Sequence, residues 1–154
     1  MSGMDVTVAD DLALLSGLYR ATNAVVRELD TRLSRDEGVT FVQAMTLLAI
    51  DGFDRPRPRT LAEQLSQQSQ TVTGVLDRLE RAGFVARCRD MDDRRAVRLE
   101  LTTSGAALVD RIKTALQGHL DAVVGGMDAR KRAVLREQLV LLERSVKEQN
   151  LPPA

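Results

Sequence analysis

The feature that most constrains this chain is a change of hydrophobic period just after Gly83. Up to that glycine, apolar residues recur at three- and four-residue steps, which is the spacing of amphipathic helices. Residues 84–89 then have the character of a strand, residues 90–95 are a polar turn, and residues 96–101 alternate between apolar and charged side chains. The sequence therefore predicts a hairpin with a charged tip that directly follows a helix.

A loop and a short helix are predicted at the start of the segment that leads to the hairpin. Residues 55–59 read Arg-Pro-Arg-Pro-Arg, and we expect a loop there because prolines at alternate positions interrupt a helix. Thr60 and Glu63 have the spacing of a capping box, in which each side chain bonds the backbone amide of the other residue. The sequence therefore predicts a short helix that begins at Thr60 and ends near Leu65.

A second helix is predicted after a tight polar turn over residues 66–68. The Ser69 hydroxyl is suited to cap this helix, which covers residues 70–82, and Gly83 is suited to end it. The apolar face of this helix is expected to join the core through Val72, Val75, Leu76 and Leu79. A short helix, a tight turn, a second helix and a charged hairpin together make the winged helix-turn-helix arrangement.

Longer helices are predicted on both sides of this unit. Apolar residues at helical spacing predict helices over about 10–35 and 40–50. After the hairpin, a helix capped by Thr102 or Thr103 reaches a break at Gly125-Gly126, and a last helix covers about 128–147. In the second predicted helix, one face carries Phe41, Ala44, Met45 and Leu48. In the last helix, the residues expected to face inward are Val134, Leu135, Leu139, Leu142 and Val146.

Charge is unevenly distributed along the chain. The 22 basic and 22 acidic residues cancel overall. Residues 55–98, however, contain ten arginines and six acids, so this segment carries +4 and the rest of the chain −4. Such asymmetry favours a polyanionic partner for the middle segment, although a solvated charged face would also explain it.

Several classes of protein do not fit the sequence. No apolar run approaches the roughly 20 residues that a membrane span requires. Residues 1–11 carry three acids and no base, unlike a secretory signal, and a single cysteine cannot form an internal disulfide. We therefore expect a soluble cytoplasmic protein.

Catalysis and metal binding are also not expected. The single histidine and the single cysteine lie on different elements, which gives no nucleophile–base pair. Asp90, Asp92 and Asp93 resemble the start of a calcium loop. Arg95 and Leu101, however, occupy the positions that need glycine and glutamate. No glycine-rich phosphate loop is present, so we expect no enzyme activity, no metal and no cofactor.

Two stretches resemble the MarR family of winged helix-turn-helix transcriptional regulators. The first contains Leu-Ala-Glu-Gln-Leu at residues 61–65 and continues through residues 71–85, and the second covers residues 90–97 followed by Leu-Thr-Thr-Ser-Gly at 101–105. The motifs lie in the order and spacing of the family, whereas the flanking helices match it in length and order only. The resemblance implies a regulator, most simply a repressor, that binds a pseudopalindromic operator in double-stranded DNA as a homodimer.

The resemblance also implies a division of the chain. We assign residues 38–103 to the winged helix-turn-helix DNA-binding region and residues 1–37 and 104–150 to a helical dimerisation region. We expect residues 151–154 to form a disordered tail. The fold class is thus mainly α with a small β-hairpin wing, an α+β fold with long terminal helices. A monomer would expose the apolar stripes of its terminal helices, which independently favours a dimer.

By this resemblance, residues 70–82 form the recognition helix, whose first turn enters a major groove. Glutamine can bond an adenine edge there, and threonine can contact a phosphate or a thymine methyl. Gly74 is unusual inside a helix and points to a close approach, either of DNA or of a neighbouring helix. Arg78 either reaches a phosphate or pairs with an adjacent acid. The candidate DNA-binding residues of this helix are Ser69, Gln70, Thr71, Thr73, Gly74 and Arg78.

The hairpin corresponds to the wing of the family. There the resemblance places Arg95 in a minor groove, with Asp93 holding it in position. The narrow groove is negative, and a bidentate pair between Asp93 and the Arg95 guanidinium would suit this role. The alternative is an ordinary charged turn. Arg94 contacts a phosphate or stays solvated. Arg57 and Arg59 belong to a loop that is longer and more basic than is usual in the family, where they either contact phosphates or stay solvated.

Other functional hypotheses remain open at this point. A winged helix used as a protein-interaction module would need neither Arg95 nor the polar first turn. A thiol-based redox-sensing regulator would use Cys88, although strand alternation turns the flanking Arg87 and Arg89 to the opposite face. His119 is interpreted as a packing residue. The resemblance also implies a small aromatic or anionic effector, bound between the dimerisation helices and the winged region, which the sequence does not name.

Overall fold

The computed structural model describes residues 3–149, which form six helices and one two-stranded sheet. In chain order the elements are α1 (Gly3–Glu37), α2 (Phe41–Gly52), α3 (Pro58–Gln64), α4 (Ser69–Arg81), β1 (Val85–Arg89), β2 (Val97–Leu101), α5 (Thr103–Val124) and α6 (Ala129–Gln149). The strands pair antiparallel, with Arg87 opposite Leu99. The expected mainly helical fold with a small hairpin is confirmed. The tail predicted over residues 151–154 lies outside the described residues.

The chain divides into two compact units, and the boundary lies inside α5 between Gln117 and Gly118. The core of the first unit surrounds α2, which contacts α1, α3, α4 and β2. The one-faced prediction for α2 was too narrow, because Leu47 and Ile50 are buried together with Ala44 and Thr46. A helix surrounded in this way carries apolar residues on more than one face.

The apolar face predicted for α4 is confirmed, since Val72, Val75, Leu76 and Leu79 are all buried. This face packs the helix into the core of the first unit. The opposite face of α4, which carries the polar residues of its first turn, is exposed.

The predicted start of α3 is wrong. The helix begins at Pro58, with Arg57 at the N-cap position, so Thr60 is inside the helix and caps nothing. Proline is well tolerated at the first helical position, where no amide has to donate a hydrogen bond. Glu63, the other half of the predicted capping box, instead pairs with Arg59 at 2.9 Å.

The predicted cap of α4 is also displaced by one residue. Gln68 occupies the N-cap position and Ser69 is the first helical residue, whose carbonyl accepts a hydrogen bond from the Thr73 hydroxyl at 2.9 Å. The turn before the helix contains Ser66 with a φ of 50°, a left-handed conformation that shortens the connection to α3.

The end of the hairpin is tied to the end of α4. Thr102 caps α5, since its hydroxyl oxygen accepts from the amide of Gly105 at 3.0 Å, and the same hydroxyl donates to the carbonyl of Gly83 at 2.6 Å. Ser104 donates to that carbonyl as well, at 2.9 Å. A Cβ on Gly105 would lie 2.0 Å from the carbonyl oxygen of Phe84, so only glycine fits there.

The second unit contains the end of α5 and all of α6. Asp128 caps α6 by accepting from the amide of Lys131 at 2.8 Å. No described residue of α6 is buried. The inward orientation predicted for the apolar residues of this helix is therefore wrong for a single copy of the chain. The exposed set comprises Val134, Leu135, Leu139, Leu142 and Val146.

In α1, burial is confined to the C-terminal half among the described residues. Leu29 and Leu33 are buried, whereas Leu12, Leu15 and Tyr19 are largely exposed. Across residues 3–149 the structure contains no helix with the length and apolar character needed to cross a bilayer.

Candidate nucleic-acid interface

The first turn of α4 presents the predicted polar residues to solvent. Ser69, Gln70, Thr71 and Thr73 are all exposed. They lie on the same helix as the buried apolar face, so the packing of that face on the core fixes the direction in which they point. Helix geometry leaves the first amides of α4 without partners inside the helix. Such amides can donate hydrogen bonds to an anion at the start of the helix.

Gly74 lies in open space. A Cβ built on it would meet no other atom within 4 Å. The alternative explanation of this glycine, a tight contact with a neighbouring helix, is therefore wrong. The surface of α4 at Gly74 is thus free of neighbouring side chains and backbone within the described part of the chain.

Arg78 is exposed and forms no ion pair within residues 3–149. Asp77 and Glu80, the acids nearest to Arg78 in the sequence, are both engaged by Arg87 of the wing. Arg87 donates to Asp77 at 2.7 Å and also pairs with Glu80. The hydrogen bond to Asp77 is the main cause that holds the pKa of the Arg87 guanidinium above its usual value. Arg87 was not predicted as a site residue, because the contact crosses from β1 to α4.

At the wing tip, Asp93 acts on the backbone and not on the guanidinium of Arg95. Its carboxylate accepts from the amide of Arg95 at 3.1 Å, and its carbonyl accepts from the amide of Ala96 at 2.9 Å. The bidentate Asp93–Arg95 pair that the resemblance implied is therefore absent from this structure. The side chains of Arg94 and Arg95 are exposed, and neither forms an ion pair within the described part of the chain.

The base of the wing carries a buried acid that sequence reasoning considered only as a failed calcium ligand. Asp90 accepts from Arg98 at 2.7 Å and from Arg57 at 3.2 Å, while its other oxygen accepts from the amide of Asp92 at 3.0 Å. These hydrogen bonds, that from Asp92 first, lower the pKa of Asp90 to about 2. Arg57 and Asp90 are 33 residues apart, so no local spacing could have revealed the contact.

The arginines of residues 55–98 thus fall into two groups. Among the described residues, ion pairs engage Arg55, Arg57, Arg59, Arg87 and Arg98. Those without an ion pair in the same range are Arg78, Arg81, Arg89, Arg94 and Arg95. The second group lies entirely on α4 and on the hairpin, and Arg81 bonds only the backbone carbonyl of Asp77. The Arg59–Glu63 pair is itself highly exposed, so it contributes little and exchanges easily.

Cys88 lies in β1 with a partly buried thiol. The thiol donates to Glu100 at 3.4 Å, and Arg87 points instead toward the acids of α4. No arginine among residues 8–149 donates a hydrogen bond to the sulfur. His119 is half-buried in the second unit.

Comparison with known proteins gives these features a context. A family model described as the MarR family matches residues 37–96, from the end of α1 through the wing tip. The HTH-type transcriptional regulator SarZ of Staphylococcus saprophyticus is 30% identical over 68% of this chain and 70% of SarZ.

A second relative is the HTH-type transcriptional repressor YetL of Bacillus subtilis, which is 37% identical over 53% of this chain. That match spans 48%, about half, of the length of YetL. Among solved structures, a mutant MarR from E. coli complexed with operator DNA superimposes with a TM-score of 0.78 and 27% identity. The superposition covers 86% of this chain and 95% of the MarR chain.

Proposed function

Because this chain belongs to the MarR family of winged helix-turn-helix transcriptional regulators, we propose that it is a sequence-specific, homodimeric repressor that binds operator DNA. The observation that carries the proposal is the sorting of its charges. Within residues 55–98, the arginines that form no ion pair with a described residue all lie on α4 and the wing. Asp77 and Glu80, the acids of α4 beside Arg78, are engaged by Arg87. A surface of this kind favours a polyanion.

In this proposal the first turn of α4 lies in a major groove. Gln70 reads a base edge, Thr71 and Thr73 contact a phosphate or a thymine methyl, and Ser69 lies beside the backbone of the DNA. The open space over Gly74 supports this placement, because it lets the helix backbone approach the duplex closely.

The wing lies in the adjacent minor groove. Arg95 enters it, where the narrow groove concentrates negative potential, and Asp93 shapes the tip by holding the Arg95 amide. Arg94 and Arg78 contact phosphates, which position the protein without reading sequence. Arg59 joins them by exchanging its exposed pair with Glu63 for a phosphate.

An inverted repeat has two half-sites, so two copies of the chain are needed to bind it. The apolar residues that α1 and α6 each leave exposed supply the surface for a homodimer, within residues 1–37 and 104–150. Two recognition helices would then read half-sites roughly 34–36 Å apart, about one turn of DNA. Sedimentation at micromolar concentration is expected to give about twice the 17.0 kDa of the chain, and a stable monomer would contradict the dimer.

A protein bound at a promoter blocks RNA polymerase, so binding of this protein to an operator there would repress transcription. The relative YetL is named a transcriptional repressor, which supports this sign of regulation. A small aromatic or anionic effector would relieve repression only to the extent that it prefers one spacing of the two recognition helices over the other.

The test is a selection from genomic DNA. The protein is incubated at about 150 mM salt with sheared DNA from its source genome, and the retained fragments are sequenced beside an Arg95→Ala control. We expect a few fragments that share an inverted repeat, and we expect the control to lose them. Uniform retention, or none, would contradict sequence-specific binding and would favour a protein-interaction module.

A further inference from the structure

Asp90 lies where β1 passes into the wing tip, and only 6% of its side chain is exposed. A buried carboxylate on an element that approaches DNA is unfavourable unless its charge is compensated. Here Arg98 donates to it at 2.7 Å and Arg57 at 3.2 Å. The carboxylate of Asp90 therefore accepts hydrogen bonds from two arginines at once.

The same cluster attaches the wing to the loop before α3. Arg98 also donates to the carbonyl of Arg55 at 3.1 Å, and the amide of Leu99 donates to the carbonyl of Pro56 at 3.0 Å. Arg55 has a φ of 49°, a left-handed conformation that an arginine adopts only when its surroundings hold it there. The loop thus lies along β2, attached by Asp90 through Arg98 and Arg57 and also by the ion pair of Arg55 with Glu100.

We propose that Asp90 is a positioning residue that sets the sequence selectivity of DNA binding, by holding the wing on this loop and by keeping Arg57 and Arg98 from DNA phosphates. The inference rests on the DNA-binding function proposed above. Arginines released from Asp90 would contact phosphates, which add affinity for any sequence. A wing released from the loop would lose the fixed position from which Arg95 enters its groove.

A positioning role and a merely structural role predict opposite changes in the affinity for unrelated DNA. Loss of a purely structural contact would weaken binding to every DNA by depleting the folded protein. Loss of the Asp90 carboxylate is expected to weaken binding to the operator and to strengthen binding to unrelated DNA. The measured quantity is therefore the ratio of the two affinities.

The experiment compares Asp90→Asn with Asp92→Asn, an exposed acid two residues away whose side chain makes none of these contacts. Both changes remove one negative charge from the same wing. Binding is measured across a range of salt for the selected operator and for an unrelated duplex of equal length.

For Asp90→Asn we expect about a tenfold loss on the operator at matched salt. On unrelated DNA we expect a gain, with a salt slope steeper by up to about two units, one for each released arginine. Asp92→Asn is expected to shift both affinities in the same direction by similar factors. If Asp90→Asn behaves like Asp92→Asn, the proposal is overturned.

A measurement without DNA separates this inference from the function on which it rests. Amide hydrogen exchange at Leu99 is expected to accelerate about tenfold or more in Asp90→Asn and to stay unchanged in Asp92→Asn. Unchanged exchange in both would show that Asp90 does not hold the loop. If the wild-type protein shows no sequence preference, the proposed function and the selectivity role both fail. The exchange result still decides whether the attachment exists.

A second variant covers the case in which Asp90→Asn does not fold. Arg57→Gln leaves Asp90 paired with Arg98. Because Arg57 is held by Asp90, its loss is expected to leave the salt slope on unrelated DNA unchanged while lowering operator affinity. A slope reduced by about one unit would mean that Arg57 contacts a phosphate in the wild-type complex, which would overturn the proposal.

Discussion

Arg87 of β1 donates to the carboxylate of Asp77 on α4 at 2.7 Å and pairs at the same time with Glu80, one turn further along that helix. One side chain of the wing thereby compensates both acids in the second half of the recognition helix. Arg78, which lies between these acids in the sequence, is left exposed and able to meet a phosphate.

Replacing Arg87 is expected to weaken DNA binding more than it weakens the fold. In Arg87→Gln the carboxylates of Asp77 and Glu80 are uncompensated and repel the duplex, so affinity falls for operator and unrelated DNA alike. The pair is partly exposed, so the free energy of unfolding should fall by about 1 kcal/mol or less. Adding Asp77→Asn to this variant should restore part of the affinity in a double-mutant cycle. Strict additivity of the two changes would mean that they do not act on each other.

Gly74→Ala is expected to separate stability from DNA binding. Alanine has space at this position and favours a helix, so the free energy of unfolding should rise by about 1 kcal/mol. Operator affinity should fall about tenfold or more, because the added methyl group lies where the backbone approaches the groove. Gly118→Ala in α5 is the matched control for the change in helix propensity, since its Cβ also meets open space. Equal DNA affinity of the Gly74 variant and wild type would contradict the close approach.

Asp90 should make stability depend on acid pH. Its pKa is lowered from 3.8 to about 2 in the folded protein, so the ionised carboxylate stabilises the fold at pH values above about 4. This contribution is lost as the pH falls from about 4 toward 2, because the unfolded chain takes up the proton first. Urea unfolding followed by circular dichroism across this range should show a shallower loss of stability for Asp90→Asn than for wild type. Parallel curves would show that Asp90 is not the titrating group.

Gly105→Ala should destabilise the fold. Its Cβ would lie 2.0 Å from the carbonyl oxygen of Phe84, and both are backbone positions with little freedom to move. Overpacking of this kind typically costs about 1–3 kcal/mol, so the melting temperature should fall by several degrees. Thermal unfolding beside Gly118→Ala checks this prediction, and equal melting temperatures would refute the contact.

Local periodicity was sufficient to predict the buried face of α4, the hairpin and the Thr102 cap, because each depends on residues close together in sequence. It failed at the start of α3, where Pro58 was interpreted as a helix breaker although it occupies the first helical position. It could not find the contacts of Asp90, because a strand and a distant loop meet there only in the folded chain. The Asp93–Arg95 geometry was carried over from a family pattern, and the structure shows Asp93 on the backbone instead.

The exposure of α6 has a consequence for how much of this protein is folded at a given abundance. A helix without a buried residue within its own chain gains its packing only when a second copy covers it, if the dimer forms as proposed. By mass action, its stability then increases with the concentration of the chain itself, and dilution unfolds it first. A cell that makes few copies would then hold mostly molecules with an unpacked α6, so the DNA binding of this regulator would depend on its own copy number.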